Sequence, residues 1–576
     1  MNLRSLRRFL PVVLLAAMVV MLVVAIGPAE AAPSPQARTV PIQILAVNDF
    51  HGALMPPGTI GTPTGNVNAG GAEYLATWIK TMKAQNPKTA VVSAGDMIGA
   101  TPLLSALFHD EPAVEVFNEI GLDFNAVGNH EFDEGLAELL RMQQGGCHPV
   151  DGCADGDPFE GADFRYLAAN VFYEGTNRTI FPAYRVMTFS GVKVAFIGMT
   201  LEGTPGIVSP SGVAGLQFKD EADTVNRLVG VLKSKGIKAV VVLVHEGGYP
   251  AVATEYNGCS GISGPIVDIV ERTRDDVDLF ITGHTHQAYN CVIDGRVVTS
   301  AASNGRLVTR INMEVSRKTK DVTSISAENV IVTQDVAKDP AITALITKYN
   351  VFAAPLANRI VGSITADFVR GATRGVESNI GRLIADAMLD ATDDPDNGNA
   401  QIAFMNPGGI REDFLVSDIY GTEAPGEVTF GEMFAVQPFG NAMVTMDMTG
   451  TQIDMALEQQ WIGVNPVPGN KLLQVSEGFT YSYSAADAAA AIANPSQAGN
   501  VVDIADIMLN GVPIDPNGVY RVTVNSFIAD GGDQFPAFLL GTNRLGGAVD
   551  TDALEAYFLA HSPLTPDPAP RIIVLP

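Results

Sequence analysis

Between residues 40 and 315 the chain repeats one pattern: a short apolar run, a polar knot, then a stretch with helical spacing. Residues 40–47, 89–93, 124–127, 193–199, 238–244 and 277–282 read as strands. Their runs of Val, Ile and Ala lack a polar face, which suits strands covered on both sides. Residues 73–85, 111–120 and 219–235 read as helices, the first with Leu75, Trp78, Ile79 and Met82 on one face. The pattern of strand, polar cluster and helix is expected five times. Residues 56–70 and 146–164 read as loops, and 292–315 alternates as strand. A helical connector is expected over 335–360, with Ile342, Leu345, Ile346 and Tyr349 at helical spacing.

The second half has its own punctuation. Residues 377–389 read as a helix, and 400–405 as a strand ending in Asn406-Pro407-Gly408-Gly409-Ile410-Arg411. Residues 428–438 lead to Phe439-Gly440-Asn441, and a strand at 520–525 leads to Phe527 and Gly531-Gly532-Asp533. The Ala-rich stretch 484–500 is expected to be a surface insertion.

Composition sharpens this α/β reading. The 576 residues are 47% hydrophobic and 17% charged, enough apolar material for large cores and too few charges for a disordered chain. Arg4, Arg7 and Arg8 precede an apolar run over 9–26, and Ala29-Glu30-Ala31 offers a small-x-small cleavage site, the order of a secretory signal over residues 1–31. The run is nearly long enough to remain as an uncleaved anchor, and the cleavage pattern favours removal. A secreted, periplasmic or cell-surface location is expected, with no stable membrane span afterwards. The formal charge of −27 becomes −29 without residues 1–31, which carry three Arg and one Glu. So acidic a chain is a poor binder of nucleic-acid polymer, whereas a small anion can still bind where cations reverse the local potential. Four Cys in an exported chain suggest disulfides; pairing Cys147 with Cys153 and Cys259 with Cys291 keeps each within one region, and three connectivities are open.

The polar knots carry the candidate chemistry. Five of the eight His, namely His51, His130, His245, His284 and His286, fall at strand ends; His109, His148 and His561 lie elsewhere. Ligands of parallel sheets gather at the carboxyl ends of strands. Asp49, His51, Asp96, Asn129, His245, His284 and His286 therefore form a candidate ligand set for two divalent ions. His and carboxylate donors suit Zn, Mn, Co or Fe rather than a soft-metal site. Two such ions about 3.5–4 Å apart can neutralise a phosphoryl group and activate water. His130, with Asp133 three residues on, offers an imidazole held by a carboxylate. In the second half, Arg374 and Arg411 suit a phosphate, and Phe439 and Phe527 suit the faces of a nucleobase.

Together, Asp49-x-His51, Gly95-Asp96, Gly128-Asn129-His130-Glu131, the His245 cluster and Gly283-His284-Thr285-His286 resemble the calcineurin-like metallophosphatases. The later motifs narrow the resemblance to the secreted two-domain 5′-nucleotidase family, over about residues 42–537. The resemblance implies a four-layer α/β/β/α sandwich over 38–334, a hinge at 335–360 and a smaller α/β substrate domain over 361–576. It implies one metal on Asp49, His51, Asp96 and His286, and another on Asp96, Asn129, His245 and His284. It implies His130 and Asp133 as the catalytic dyad. Arg374, Asn406, Gly409, Arg411, Phe439, Asn441, Phe527 and Asp533 would bind the nucleotide, the two rings clamping its base. The implied reaction is hydrolysis of nucleoside 5′-phosphates by a metal-activated water. Cleavage of 2′,3′-cyclic nucleotides, UDP-sugars or NAD on the same centre is the alternative. Two positions depart from the family: His286, where close relatives often carry an amide, and Pro407, often Gly.

Overall fold

A computed structural model describes residues 38–208, 211–419, 421–461, 471–494 and 500–576. The expected signal segment lies outside the described residues. The first half is built on two six-stranded sheets. One runs, in spatial order, Val322–Ile331, Leu307–Ser316, Thr39–Val47, Thr89–Ser93, Phe124–Ala126 and Arg165–Leu167. The other runs Ala288–Ile293, Arg296–Ala301, Leu279–Thr282, Ala239–His245, Val192–Thr200 and Tyr184–Phe189.

The unbroken apolar runs follow from this layering. Side chains of a strand point alternately to its two faces. Ile42, Ile44 and Ala46 meet Val194, Phe196, Val241, Leu243 and Ile281 of the other sheet. Their neighbours Leu45 and Val47 turn outward onto helices Ala72–Gln85 and Glu111–Ile120. On the far side Ile197, Val240, Val242 and Val244 pack under Glu221–Ser234 and Pro265–Arg272. Each such side chain, fully buried, contributes roughly 1.5–3 kcal/mol before chain entropy is subtracted.

The parallel core strands are in register at their carboxyl ends, with Val47 beside Ser93, Ser93 beside Asn125, and Val244 beside Thr282. That register brings the polar knots together. Both disulfides, Cys147–Cys153 and Cys259–Cys291, are formed within one region each.

Helix Pro340–Ala357 leads into the second half. Asp339 caps it by accepting the N–H groups of Ala341 and Ile342, and Pro340 fits the first turn, where no donor is needed. Ile342 and Ile346 enter the first core, while Tyr349 packs its ring 4.6 Å from Phe108. The second half centres on a five-stranded sheet, Gln474–Val475, Ile402–Met405, Val519–Asn525, Ala442–Thr449 and Thr542–Val549. Helix Asn379–Asp390 covers one face through Ile380, Ile384 and Met388, and Gly450–Glu458 covers the other through Ile453 and Leu457.

Two expectations are corrected and two are refined. The fifth unit has no helix, because the chain turns from His286 straight into strand Ala288–Ile293. Residues 56–70 contain a hairpin, Thr59–Thr62 with Gly65–Asn68, closed where the Thr62 hydroxyl donates to Gly65 O at 2.6 Å. The described part of the Ala-rich stretch is exposed over most of its length, as expected of a surface segment, and is regular rather than loose. It forms helix Ala485–Ala493, capped by Ser484, and buries Ala488 and Ala491 beside Tyr481 and Trp461. Phe527 lies in a short helix, Ser526–Ala529, whose N-terminus the Asn525 side chain caps, rather than in a glycine turn.

Candidate metal centre and substrate cleft

The loops that follow Thr39–Val47 and Thr89–Ser93 are joined by their backbones: Asp49 N donates to Gly95 O, His51 N to Asp96 O and Gly52 N to Met97 O. This pairing forces unusual torsions. Asp49, His51, Asp96, His284 and His286 all have positive φ, between 46° and 68°. Few non-glycine residues adopt that region, and the strain is characteristic of sites where packing over-determines the backbone. Gly128 is required by a close approach, since a Cβ there would lie 2.2 Å from Asp96 Oδ1.

Two ligand clusters result. Donor atoms of Asp49, His51 and His286 lie within 4.8 Å of one another, as do those of Asp96, His245 and His284. Asp96 lies between them: its Oδ2 is 2.8 Å from His245 Nε2 and 3.9 Å from His51 Nε2. Asn129 Oδ1 is 3.1 Å from His245 Nε2 and 2.9 Å from His284 Nδ1. His51 Nε2 faces His286 Nε2 at 3.0 Å.

The outer partners fix the orientation of the rings. His51 Nδ1 donates to Gly99 O at 2.9 Å and His245 Nδ1 to Ala94 O at 2.8 Å, so each presents Nε2 inward. At His245, that nitrogen meets two acceptors, Asp96 Oδ2 and Asn129 Oδ1, and a proton or a cation must sit among them. The donor set of imidazole, carboxylate and amide oxygen fits a pair of borderline divalent ions.

Burial and mutual contact set the charges of these groups. Burial pushes His51 and His284 down to about 3, so both are neutral donors. Burial also lowers His286. Burial raises Asp49 to about 7. Burial would raise Asp96 as well, but the neighbouring His245, His130 and His51 hold it well below the usual range. Burial disfavours charge on His245, yet Asp96 outweighs it and lifts the ring to about 10.

His130 Nδ1 is 2.8 Å from Asp133 Oδ2, within the short helical turn His130–Phe132 and its cap. Burial lowers its proton affinity, while Asp133 and Asp96 more than restore it. A cavity of ≈ 560 Å³ opens beside the dyad. Asp96, Asn129, His130, Asp133, His284 and His286 line one side of it. Arg374, Asn406, Gly409, Arg411, Phe439, Asn441, Phe527 and Asp533 line the other. His51 borders an adjoining cavity, and fully buried Asp49 and His245 lie beneath the floor. The Phe439 ring lies 5.9 Å from that of His130, inclined 21°, with the Arg411 guanidinium 5.7 Å from its centroid. Burial and Arg374 bring Arg411 down to about 10, so it keeps its charge at neutral pH. Asn525 donates to Asn406 Oδ1 at 2.8 Å and Asn406 to Asp533 Oδ2 at 2.7 Å, a chain that aims the Asp533 carboxylate. Asn441 is held by Ser526 at 3.3 Å and Asp550 at 3.4 Å.

Sequence reasoning missed several residues that build this site. Glu131, buried, accepts the backbone N–H groups of Asp96, Met97 and Gly128 and the Asn125 amide, and so fixes the loop that carries Asp96. The sequence placed it in the Gly128–Glu131 motif without showing what its carboxylate holds. Asn48 donates to Asp49 Oδ2 at 2.6 Å. Tyr249, Ile207 and Val208 supply apolar wall to the cleft from loops without a motif.

Residues 42–288 match the calcineurin-like phosphoesterase family and residues 360–539 the 5′-nucleotidase C-terminal domain. The chain is 33% identical to an endonuclease of Bacillus subtilis over 90% of its own length, and 31% identical to a cell wall protein of Listeria monocytogenes over 90%. It spans only 39% and 66% of those two proteins. A 5′-nucleotidase precursor from Thermus thermophilus superposes with a TM-score of 0.74 at 25% identity, covering 93% of this chain and 99% of that one. With both domains matched in order, this chain belongs to the two-domain 5′-nucleotidase family.

Proposed function

We propose that the protein is an exported 5′-nucleotidase that hydrolyses nucleoside 5′-monophosphates to nucleoside and phosphate. The observation that carries this reading is the shared cavity, in which two phenyl rings and two arginines of one domain face the His/Asp centre of the other. Export is supported by the signal pattern at the N-terminus and by the similarity to a cell wall protein.

Asp49, His51, Asp96 and His286 would hold one divalent ion, and Asp96, Asn129, His245 and His284 the other, with Asp96 shared. Bound there, such ions supply charge neutralisation and an activated water. The chain's own groups do the rest. Arg374 and Arg411 bind the phosphate, and Phe439 and Phe527 sandwich the base. Asp533, aimed by Asn406, accepts from ribose hydroxyls. His130 holds its Nδ1 proton on Asp133, which leaves Nε2–H of the cationic ring to protonate the departing 5′ oxygen. Rates on AMP and UMP against a simple aryl phosphate test the reading. Loss of the nucleotide preference in Phe527→Ala supports it, and a protein that never prefers nucleotides rejects it.

A second cavity favours a second reading. It measures ≈ 490 Å³, adjoins the first at His286, Arg374 and Arg411, and is also lined by Arg306 and Arg370. Each cavity alone falls within the size range of a ligand site. An anionic extension beyond the scissile phosphate fits there, as in a UDP-sugar or NAD. A panel including both substrates, with Arg370→Ala, separates the readings: a selective loss on the extended substrates favours the second.

A further inference from the structure

Two of the three histidines outside the centre come together on the opposite side of the dyad's helix. His109 follows helix Leu103–Ala106, and His148 and Asp151 belong to the loop closed by Cys147–Cys153. The His109 and His148 rings stack 3.8 Å apart at 15°. His109 Nδ1 lies 2.8 Å from Glu134 Oε2 and donates to it, which turns the other ring nitrogen, Nε2, away from Glu134. Nε2 faces Asp151 Oδ2 at 3.0 Å. His148 Nδ1 accepts the backbone N–H of Asp151 at 3.1 Å and lies 3.1 Å from the same Oδ2; a cation bound there takes the place of that N–H on the ring's one lone pair.

Three potential donor atoms therefore converge on one small volume, where a proton or a cation can sit among them. Protonating both rings would place like charges face to face at stacking distance. A single divalent cation satisfies all three donors at once. The carboxylate behind His109 is the outer partner that metal-binding imidazoles commonly have. Glu138, also near His109, is engaged by Arg141 and is not a ligand.

We propose that His109, His148 and Asp151 form a third divalent-cation site, of the zinc class, with Glu134 orienting His109. Two imidazoles, one carboxylate and solvent complete a tetrahedral zinc shell. The cation ties the disulfide loop to the segment that begins with Asp133, since Glu134 is the next residue. Just beyond the disulfide, Asp155 pairs with Lys348 of the connecting helix at 2.5 Å. The site is a clasp on the scaffold of the dyad and lies apart from the reacting groups.

The test is a count of metal. Holoenzyme is equilibrated with zinc buffered at micromolar free concentration, and total metal per chain is measured by elemental analysis. His148→Ala is expected to hold one ion fewer than the wild type, with hydrolysis of an aryl phosphate unchanged. Asp151→Asn, a half-exposed change that leaves folding intact, is expected to lose the same ion. Equal metal content in wild type and both variants overturns the proposal, as does loss of activity in step with the lost ion.

Discussion

The two phenylalanines of the cleft differ in their surroundings, and that difference makes a sharp test. The Phe527 ring rests on the backbone of Gly532, where a Cβ would come within 2.5 Å of the ring, and its other face lines the cavity. Phe439 also borders the cavity but leans on His130 and receives the Arg411 guanidinium. Base stacking on an aromatic ring contributes roughly 1–3 kcal/mol by alanine substitution, and 1.4 kcal/mol is about tenfold. Phe527→Ala should therefore lower kcat/KM for AMP by about 5- to 150-fold, mainly through KM, and leave an aryl phosphate unaffected. Phe439→Ala should show the same loss on AMP and an additional fall in kcat on both substrates, because the packing that positions His130 and Arg411 goes with the ring. Phe439→Leu should restore part of kcat without the stacking. The assay is steady-state hydrolysis of AMP and aryl phosphate by wild type and the three variants. Equal losses on both substrates for Phe527→Ala would refute the clamp, and an unchanged kcat in Phe439→Ala would refute the link to His130.

Asp96→Asn should abolish hydrolysis and reduce bound metal, since both clusters converge on that carboxylate; two ions retained per chain would contradict its shared position. Gly128→Ala should do much the same without touching a ligand, because the new methyl must displace Asp96 Oδ1; wild-type metal content would show that the loop can yield. Asp278→Asn gives a pH test away from the centre. Burial, reinforced by Asp321 and Asp276, raises Asp278 from 3.8 to about 7, while its Oδ2 accepts Val240 N–H at 2.8 Å. Between those pH values the native state holds a proton that the unfolded chain has released, so stability falls as pH rises through the window and the cost persists above it. The amide keeps the acceptor and cannot ionise. It should match the wild type in urea melts near about pH 4 and exceed it by up to about 4 kcal/mol near about pH 8; parallel pH profiles would refute the assignment.

The ligand clusters were legible because the strands that carry them are buried on both faces. Apolar runs that end abruptly in Asp, Asn or His leave little doubt where the polar ends point, and strand register does the rest. The hairpin at 59–68 was hidden because Gly, Pro and Thr dominate it, and its one buried apolar side chain is Ile60. The helix Ala485–Ala493 was hidden because alanine does not reveal which of its faces is buried. No pattern in the sequence marks the left-handed backbone at Asp49, His51, Asp96, His284 and His286, since Asp and His adopt it only when tertiary contacts impose it. Glu131 belongs to the same category: it joins its own segment, through Asn125 and Gly128, to the distant N–H groups of Asp96 and Met97, which local sequence does not bring together.

The substrate cleft shows where sequence reading stops for a physical reason. Arg411 and Phe527 stand in unrelated segments until the chain Asn525–Asn406–Asp533 fixes those segments relative to one another. Residue types specify which chemistry is available on each domain. On the proposed reading, the contact of Phe439 with His130 would set the distance from a bound base to the dyad, and so whether the two chemistries act on one molecule. That distance is a property of the contact between domains, held on one side by the backbone pairing of the metal loops and on the other by the connecting helix. The same argument explains why the centre alone underdetermines the substrate. The His/Asp clusters are compatible with any phosphate ester, and discrimination lies in the two cavities that diverge from His286, one walled by phenyl rings and the other by arginines.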